Sequence, residues 1–197
     1  MKKTLPSVLT IGSLGFAGPA MALSLNLVPA LSTVDVGQSL AVDIVASLAS
    51  NEIVSAYDLN IGFDASVLTA NSVTFGMMLG GDPMFQSFGL SPGVVDLAEV
   101  SLLFDSDLAS IQQPPASFTL ATLLFTAGGS GTSPLNFINY GNPGLDIKGS
   151  NNVPYDQPTL GASSVTIGTV SSVPEHGTFL LLMTGLSGLA LAKRRVG

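Results

Sequence analysis

Apolar residues recur at every second position through most of this chain, and this alternation constrains its fold more than any other feature. It is clearest in Leu40, Val42 and Ile44 and again in Leu59 and Ile61. A strand with one buried face has this period, because successive side chains point to opposite sides of a sheet. Similar runs occur at residues 23–28, 72–75, 94–104, 134–139 and 163–170. Many short strands with turn residues between them, and no strong amphipathic helix, predict an all-β domain of two packed antiparallel sheets.

The two ends of the chain have the pattern of targeting segments instead. Lys2 and Lys3 precede an apolar stretch over residues 5–16, and Ala20-Met21-Ala22 follows. This pattern predicts a signal peptide over residues 1–22 that is cleaved after Ala22. The export that it predicts suits a domain without cysteines, which must be held together by its core and not by disulfides.

The C-terminal segment has three parts: Val173-Pro174-Glu175, an uncharged apolar stretch over residues 177–192, and Lys193-Arg194-Arg195 near the end. The stretch predicts a single transmembrane helix shorter than the roughly 30 Å hydrocarbon core, and the cations after it stay on the cytoplasmic side. Together these parts resemble the PEP-CTERM sorting signal of Gram-negative bacteria. The motif covers residues 173–176, with His176 where the family has a second proline, and the basic tail covers residues 193–197. The resemblance implies recognition and cleavage by an exosortase.

These segments leave one domain, over residues 23–172, between the signal peptide and the sorting signal at 173–197. The predicted location of this domain is periplasmic, with its tail in the inner membrane, before processing. After processing we expect it at the cell surface or in the extracellular matrix.

The predicted domain is strongly acidic. Five of the six lysine and arginine residues belong to the two ends of the chain. The domain between them therefore contains one basic residue, Lys148, and twelve of the thirteen acidic residues. Binding a phosphate backbone needs several Lys or Arg side chains, and this composition therefore excludes nucleic acid as a partner. The same charge keeps the domain away from anionic lipid.

Three segments make the sandwich prediction more specific. Val34-Asp35-Val36-Gly37 leads into the strand at 39–48, residues 57–68 read YDLNIGFDASVL, and residues 120–127 read LATLLFTA. In this order and spacing they resemble the cohesin family over most of residues 25–170. The resemblance implies a jelly-roll β-sandwich that binds dockerins without catalysing a reaction, with a fold related to that of cellulose-binding modules.

The physical roles of these residues do not depend on the resemblance. Gly37 permits a tight turn between two strands. Asp64 can accept hydrogen bonds from nearby backbone N–H groups where a strand ends, and Val67 and Leu68 then close one end of the sandwich.

The domain lacks the usual catalytic groups, and we predict that it is not an enzyme. The single histidine, His176, lies beside the apolar tail, so histidine-dependent nucleophiles and metal sites are excluded from the domain. Glu52, Glu99 and several aspartates could pair for glycoside hydrolysis, but no spacing selects a pair. Asp105-Ser106-Asp107 offers oxygens to Ca²⁺, yet the third ligand, glycine and distal glutamate of an EF-hand loop do not follow. We therefore predict no cofactor and solvated turn acids at 105–107, with Ca²⁺ binding there as the weaker alternative.

Two segments are candidate binding surfaces. Residues 76–93 form an unusually apolar predicted loop whose candidate contacts are Met77, Met78, Met84, Phe85 and Phe88. The commoner fate of such side chains is to fold down and cap the sandwich. Residues 136–157 mix amides with tyrosines, and the candidate glycan contacts are Tyr140, Asn142, Asn152 and Tyr155. Ordinary turn chemistry explains the same residues.

These observations favour an exported, non-enzymatic surface or matrix module that binds a dockerin-like or other extracellular protein. The alternative is a carbohydrate-binding module acting on exopolysaccharide, and a glycoside hydrolase is the weaker third class.

Overall fold

The computed structural model of the chain describes residues 23–113, 116–139 and 145–169. Within these ranges the protein is a β-sandwich, so the predicted fold class is confirmed. The strands are β1 (Ser24–Pro29), β2 (Thr33–Asp35), β3 (Ser39–Ser47), β4 (Ala56–Gly62), β5 (Leu68–Phe75), β6 (Gln86–Ser91), β7 (Val94–Val100), β8 (Ser117–Ala127), β9 (Gly131–Phe137), β10 (Asp146–Lys148), β11 (Thr159–Gly161) and β12 (Ser163–Gly168). One α-helix, α1 (Asp105–Gln112), and two 3-10 turns, Pro83–Phe85 and Ser150–Asn152, complete the described elements.

The strands form two sheets. The first has the order β11-β1-β3-β8-β5, and the second has the order β2-β12-β9-β4-β7-β6, with β10 also paired to β4. Neighbouring strands are antiparallel except at two edges, where β11 runs parallel to β1 and β2 runs parallel to β12. The prediction of purely antiparallel sheets is therefore wrong at these edges. Neither short strand is joined to its neighbour by a hairpin, so nothing requires the chain to reverse direction there.

The core lies between the two sheets and is built from residues that alternate along β3, β4 and β8. Ile44 of β3, Leu59 of β4 and Phe125 of β8 are fully buried, and Phe63 packs edge-on against Phe125 with ring centroids 5.2 Å apart. The cluster of buried apolar residues extends from Leu23 to Ile167. This part of the chain therefore contains a continuous core.

The turn residues have the predicted roles. Gly37 has φ +87°, a left-handed conformation that favours glycine, between β2 and β3. Asp64 Oδ1 accepts a hydrogen bond of 2.8 Å from the Ser66 N–H, just after β4. Val67 and Leu68, which follow, are 5% and 1% exposed and belong to the buried apolar core.

The helix α1 was not predicted, because it carries little amphipathic pattern. The strand predicted over residues 94–104 ends at Val100, and the helix begins at Asp105. Asp105 and Asp107 lie in its first turn, where carboxylates favour the positive end of the helix dipole. Its last residue, Gln112, is fully buried.

Gln112 connects α1 to two other segments. Its Oε1 accepts a hydrogen bond of 2.8 Å from the Val54 N–H, and its Nε2 donates to the carbonyls of Val54 and Met78 at 2.8 and 2.9 Å. Val54 precedes β4 of the second sheet, and Met78 follows β5 of the first sheet. One amide side chain therefore connects α1 to a segment next to each sheet.

Half of the segment 76–93, which was predicted to be a loop, is regular secondary structure. Asp82 caps the 3-10 turn by accepting a hydrogen bond of 3.0 Å from the Met84 N–H. The edge strand β6 follows, and Pro92 and Gly93 form the two-residue turn into β7, with φ +84° at Gly93. The prediction failed because β6, QSFGLS, has too few apolar residues to show a clear alternation.

The predicted signal peptide, the sorting motif at Val173, Pro174 and Glu175, the apolar stretch and the basic cluster Lys193, Arg194 and Arg195 all lie outside the described residues. Among the helices that are described, none has the length and hydropathy needed to cross a membrane.

Candidate partner-binding surface

The outer face of the second sheet brings several carboxylates together around small apolar side chains. Strand β4 directs Tyr57, Leu59 and Ile61 into the core, so its intervening residues face outward. Outward-facing Asp58 lies opposite Ala98 of β7 on one side and Asp146 of β10 on the other. We call this set the carboxylate face, and its members are Ala56, Asp58, Asp96, Ala98, Val100, Asp146 and Lys148.

The carboxylate face has an apolar centre. Ala56 lies opposite Val100, and Val100 is 50% exposed. Together with Ala98 they line a shallow depression of about 200 Å³, which Asp58, Asp146 and Lys148 border. An exposed apolar centre with a polar rim is the arrangement of a protein-binding surface.

The charges on this face are unbalanced. Lys148 Nζ lies 3.5 Å from Asp146 Oδ2, and Lys148 is the only lysine or arginine in the sequence between Lys3 and Lys193. Partial burial, with the negative charges of Asp96 and Asp146 nearby, raises the pKa of Asp58 above its usual value. A cation brought to Asp58 by a partner would relieve this repulsion.

A buried polar cluster lies beneath the carboxylate face. Glu99 of β7 points inward and is 2% exposed. Its Oε1 accepts a hydrogen bond of 2.8 Å from Gln86 Nε2, and its Oε2 accepts one of 3.0 Å from the Tyr57 hydroxyl. The same hydroxyl lies 3.3 Å from the Leu120 carbonyl. The cluster links β4, β6 and β7 to β8 across the sandwich.

Burial raises the pKa of Glu99, although both hydrogen bonds oppose this shift. Burial and the neighbouring Glu99 also raise the pKa of Tyr57 far above its usual value, so Tyr57 remains a neutral donor. No cation accompanies the Glu99 carboxylate in the described hydrogen-bond cluster. A negative charge on Glu99 in this cluster therefore costs stability.

Replacing Glu99 with glutamine is expected to raise the free energy of unfolding at pH 7 by about 1 kcal/mol, because the amide keeps the shape without the charge. A raised carboxyl pKa means that the folded state binds the proton more tightly than the unfolded state. The wild-type protein should therefore gain stability relative to Glu99→Gln as the pH falls through the pKa of Glu99. Urea denaturation at pH 7 and pH 4.5 measures this; a variant that is less stable at pH 7 would contradict the account.

The apolar candidates in residues 76–93 separate into two groups. Met78 packs against the core and Phe85 is half-buried, as capping side chains would be. Met77, Met84 and Phe88 are 73%, 83% and 51% exposed. These three remain candidate contacts, and Phe88 lies in the edge strand β6.

The second candidate segment is described only in part, since Tyr140 and Asn142 lie outside the described residues. Asn152 is exposed in a 3-10 turn, and Tyr155 is half-buried with its hydroxyl donating a hydrogen bond of 2.9 Å to the Ile53 carbonyl. Burial and the nearby charge of Glu52 raise the pKa of Tyr155 to about 12. The ring borders a cleft of about 260 Å³ lined also by Asn51, Glu52 and Ser150. Asn152 does not line this cleft.

The carboxylates considered for catalysis or Ca²⁺ have structural partners. Glu52 Oε2 accepts a hydrogen bond of 2.8 Å from the Ala49 N–H, whereas Glu99 is buried between the sheets. Asp105 Oδ2 accepts one of 2.8 Å from the Asn151 N–H. In the described part of the chain, no three or more His, Cys, Asp or Glu side chains are grouped where they could hold a metal ion.

No protein-family model matches the sequence, and the search of curated proteins also found no match. Solved structures do match. A cohesin in a type I cohesin–dockerin complex from Clostridium thermocellum has a TM-score of 0.60 and 12% identity, over 75% of this chain and 99% of that one. A type II cohesin domain from Acetivibrio cellulolyticus has a TM-score of 0.58 and 16% identity, over 73% and 95%. A cohesin module of a Clostridium perfringens family 33 glycoside hydrolase has a TM-score of 0.52 and 15% identity, over 75% and 96%. The described body of this protein therefore has the fold of a cohesin domain.

Proposed function

We propose that the body of this protein is a non-catalytic module that binds another extracellular protein, and that the carboxylate face forms the binding surface. Several cohesins of the same fold were solved as complexes with dockerins. A dockerin-like domain is therefore the first kind of partner to consider.

The environment of Asp58 is the observation that supports this proposal most strongly. It is a partly buried carboxylate with two like charges nearby, placed beside exposed Val100. A surface of this kind costs free energy in the unbound domain, and a partner that brings a Lys or Arg side chain and an apolar contact would recover it. We expect the partner to present a cation to Asp58 and an apolar residue to the depression between Ala56 and Val100.

A direct test compares protein and glycan binding by the same purified domain. The domain is immobilised and exposed to the secreted proteins of the source bacterium, and it is applied in parallel to a glycan array. The proposal expects a specific protein to be retained. Glycan binding without a protein partner would reject it.

The cleft beside Tyr155 supports a second candidate, a carbohydrate-binding module acting on exopolysaccharide. An aromatic ring with polar neighbours such as Asn51 and Glu52 can contact the apolar face and the hydroxyls of a sugar. A Tyr155→Ala variant that loses glycan binding while keeping its fold would favour this reading. The third class, a glycoside hydrolase, requires the purified domain to release sugars from polysaccharide.

We also propose that the ends direct the domain to its place of action. The predicted signal peptide exports it, the apolar stretch anchors it in the inner membrane, and an exosortase processes the sorting signal before release to the surface or matrix. This proposal is based on the sequence pattern of residues 1–22 and 173–197.

Neutral residues in place of Lys193, Arg194 and Arg195 are expected to impair membrane retention and processing, because these cations oppose movement of the tail across the membrane. Immunoblots of cell fractions would show unprocessed chain or a changed distribution. A mature form of unchanged size and location would count against the sorting model.

A further inference from the structure

The two open sides of the sandwich are built differently. On one side the edge strands β2 and β11 have three residues each. On the other side the edge strands β5 and β6 have eight and six residues, and neither contains a charged side chain. Phe75 of β5 and Phe88 of β6 lie near each other there, with ring centroids 6.4 Å apart.

Strand β6 lacks the features that normally prevent an edge strand from pairing. Soluble proteins protect such edges with charges, prolines, bulges or very short strands. β6 reads QSFGLS, pairs in regular register with β7, and has neither charge nor proline. Because it is the last strand of its sheet, alternate N–H and C=O groups point away from β7.

The side chains of β6 suit the approach of another strand. Phe88 and Leu90 lie opposite Leu97 and Val95, on the core side of the sheet, yet they remain 51% and 37% exposed. Ser87, Gly89 and Ser91 alternate with them on the outer side. A strand placed beside β6 would cover both apolar residues if it brought apolar side chains on the core side.

We propose that this strand is β6 of a second copy of the chain, paired antiparallel about a two-fold axis at Gly89. In this register Phe88 lies opposite Leu90 of the partner subunit, so two apolar cross-strand pairs form. Ser87 lies opposite Ser91 of the partner subunit, and the two Gly89 residues meet at the axis. Residues 87–91 each find an apolar or uncharged polar counterpart in the partner subunit's β6, so this part of the strand complements itself; Gln86 lies opposite the turn that follows the partner strand.

The acidic charge of the domain disfavours self-association through most surfaces but not through the uncharged edge at β6. The domain has twelve acidic residues and one basic residue, so two copies repel each other over most of their surfaces. The edge at β6 brings no charged side chain directly against another. The interface is small compared with the roughly 800 Å² per partner of a standard interface, so we expect a weak, concentration-dependent dimer.

The two-fold axis would be perpendicular to the sheet, because core-side residues pair with core-side residues. The two carboxylate faces would then lie on the same side of one continuous sheet. Self-association would therefore present two partner sites in the same direction, and it goes beyond the proposed binding function without depending on it.

Single cysteines test the register, because the chain contains none. In the full chain, Gly89→Cys should form a disulfide-linked dimer under mild oxidation. Two such residues face each other at the axis, and the nearest atom to an added Cβ at Gly89 is Asp96 Cβ at 3.9 Å. Ser91→Cys should cross-link at least tenfold less, since its two copies would be about 14 Å apart along the strands. A mixture of Ser87→Cys and Ser91→Cys chains should cross-link with each other.

Added charge provides the matched control. Ser87→Asp with Ser91→Asp, introduced into the Gly89→Cys chain, should abolish cross-linking, because each new carboxylate would face another across the axis. Ser130→Asp with Ser164→Asp adds the same charge at exposed positions outside β6 and should leave it unchanged. Gly89→Cys chains that stay monomeric, cross-linking by Ser91→Cys as efficient as by Gly89→Cys, or insensitivity to the Ser87 and Ser91 charges would each overturn the proposal.

Discussion

Replacing Gln112 with alanine is expected to lower the free energy of unfolding by about 3–5 kcal/mol, one of the largest effects of any polar substitution in the domain. Gln112 is fully buried, and its amide makes three hydrogen bonds of 2.8–2.9 Å to the backbone of Val54 and Met78. Alanine would leave the Val54 N–H and both carbonyls without these bonds. It would also leave a cavity next to the core.

Chemical denaturation of the domain measures this effect, with Gln157→Ala as the exposed control that should change stability by less than about 0.5 kcal/mol. Gln112→Glu gives a sharper test. It keeps the size of the side chain but turns a carboxylate oxygen toward two carbonyls, so it should destabilise the protein at pH 7 and less so at acidic pH. A small effect of Gln112→Ala would show that α1 does not hold the two segments together.

The second large effect concerns function. Ala98→Arg is expected to weaken binding of the protein partner by at least about 100-fold, which corresponds to roughly 2.7 kcal/mol. Ala98 lies opposite Asp58 at the centre of the carboxylate face. An arginine there would pair with the carboxylates that the partner's cation needs, and its bulk would fill the depression beside Val100.

The matched control is Leu124→Arg. Leu124 is 38% exposed on β8 of the first sheet, so the variant adds the same charge and presents the same arginine side chain on the opposite side of the sandwich. Binding to the captured partner, measured by calorimetry, should be unchanged in this variant. The assignment of the surface would be wrong if Leu124→Arg lost binding and Ala98→Arg kept it, provided that both unfold at the wild-type temperature.

The core strands could be predicted from the sequence because their burial repeats with a period of two. The alternation in β3 and β4 identified the buried residues, and Gly37 and Asp64 identified the turns that follow from backbone chemistry. By contrast, α1 has one fully buried leucine, Leu108, and one buried glutamine, which is too little apolar pattern to show a helix. The short strands β10 and β11 gain their pairing from neighbours that are distant in sequence.

The carboxylate face was missed for the same reason. The alternation of β4 and β7 shows that Asp58 and Asp96 face outward, but it cannot show which outward residues are neighbours. That depends on the register of β4 with β7 and β10, which brings together residues 58, 96 and 146. In contrast, Met77 and Met84 could be named as candidate contacts from the sequence, because a segment between strands rarely contains so many apolar residues. Both are exposed in the structure.

The body of the protein is proposed to bind another protein through the outer face of its second sheet. NMR cross-saturation tests it most directly, with the captured partner irradiated and the signal loss recorded at amides of the deuterated domain. We expect the loss to be concentrated at Asp58, Ala98 and Val100 and their neighbours on β4, β7 and β10. Signal loss confined to β1, β3 and β8, or to the cleft beside Tyr155, would contradict the account.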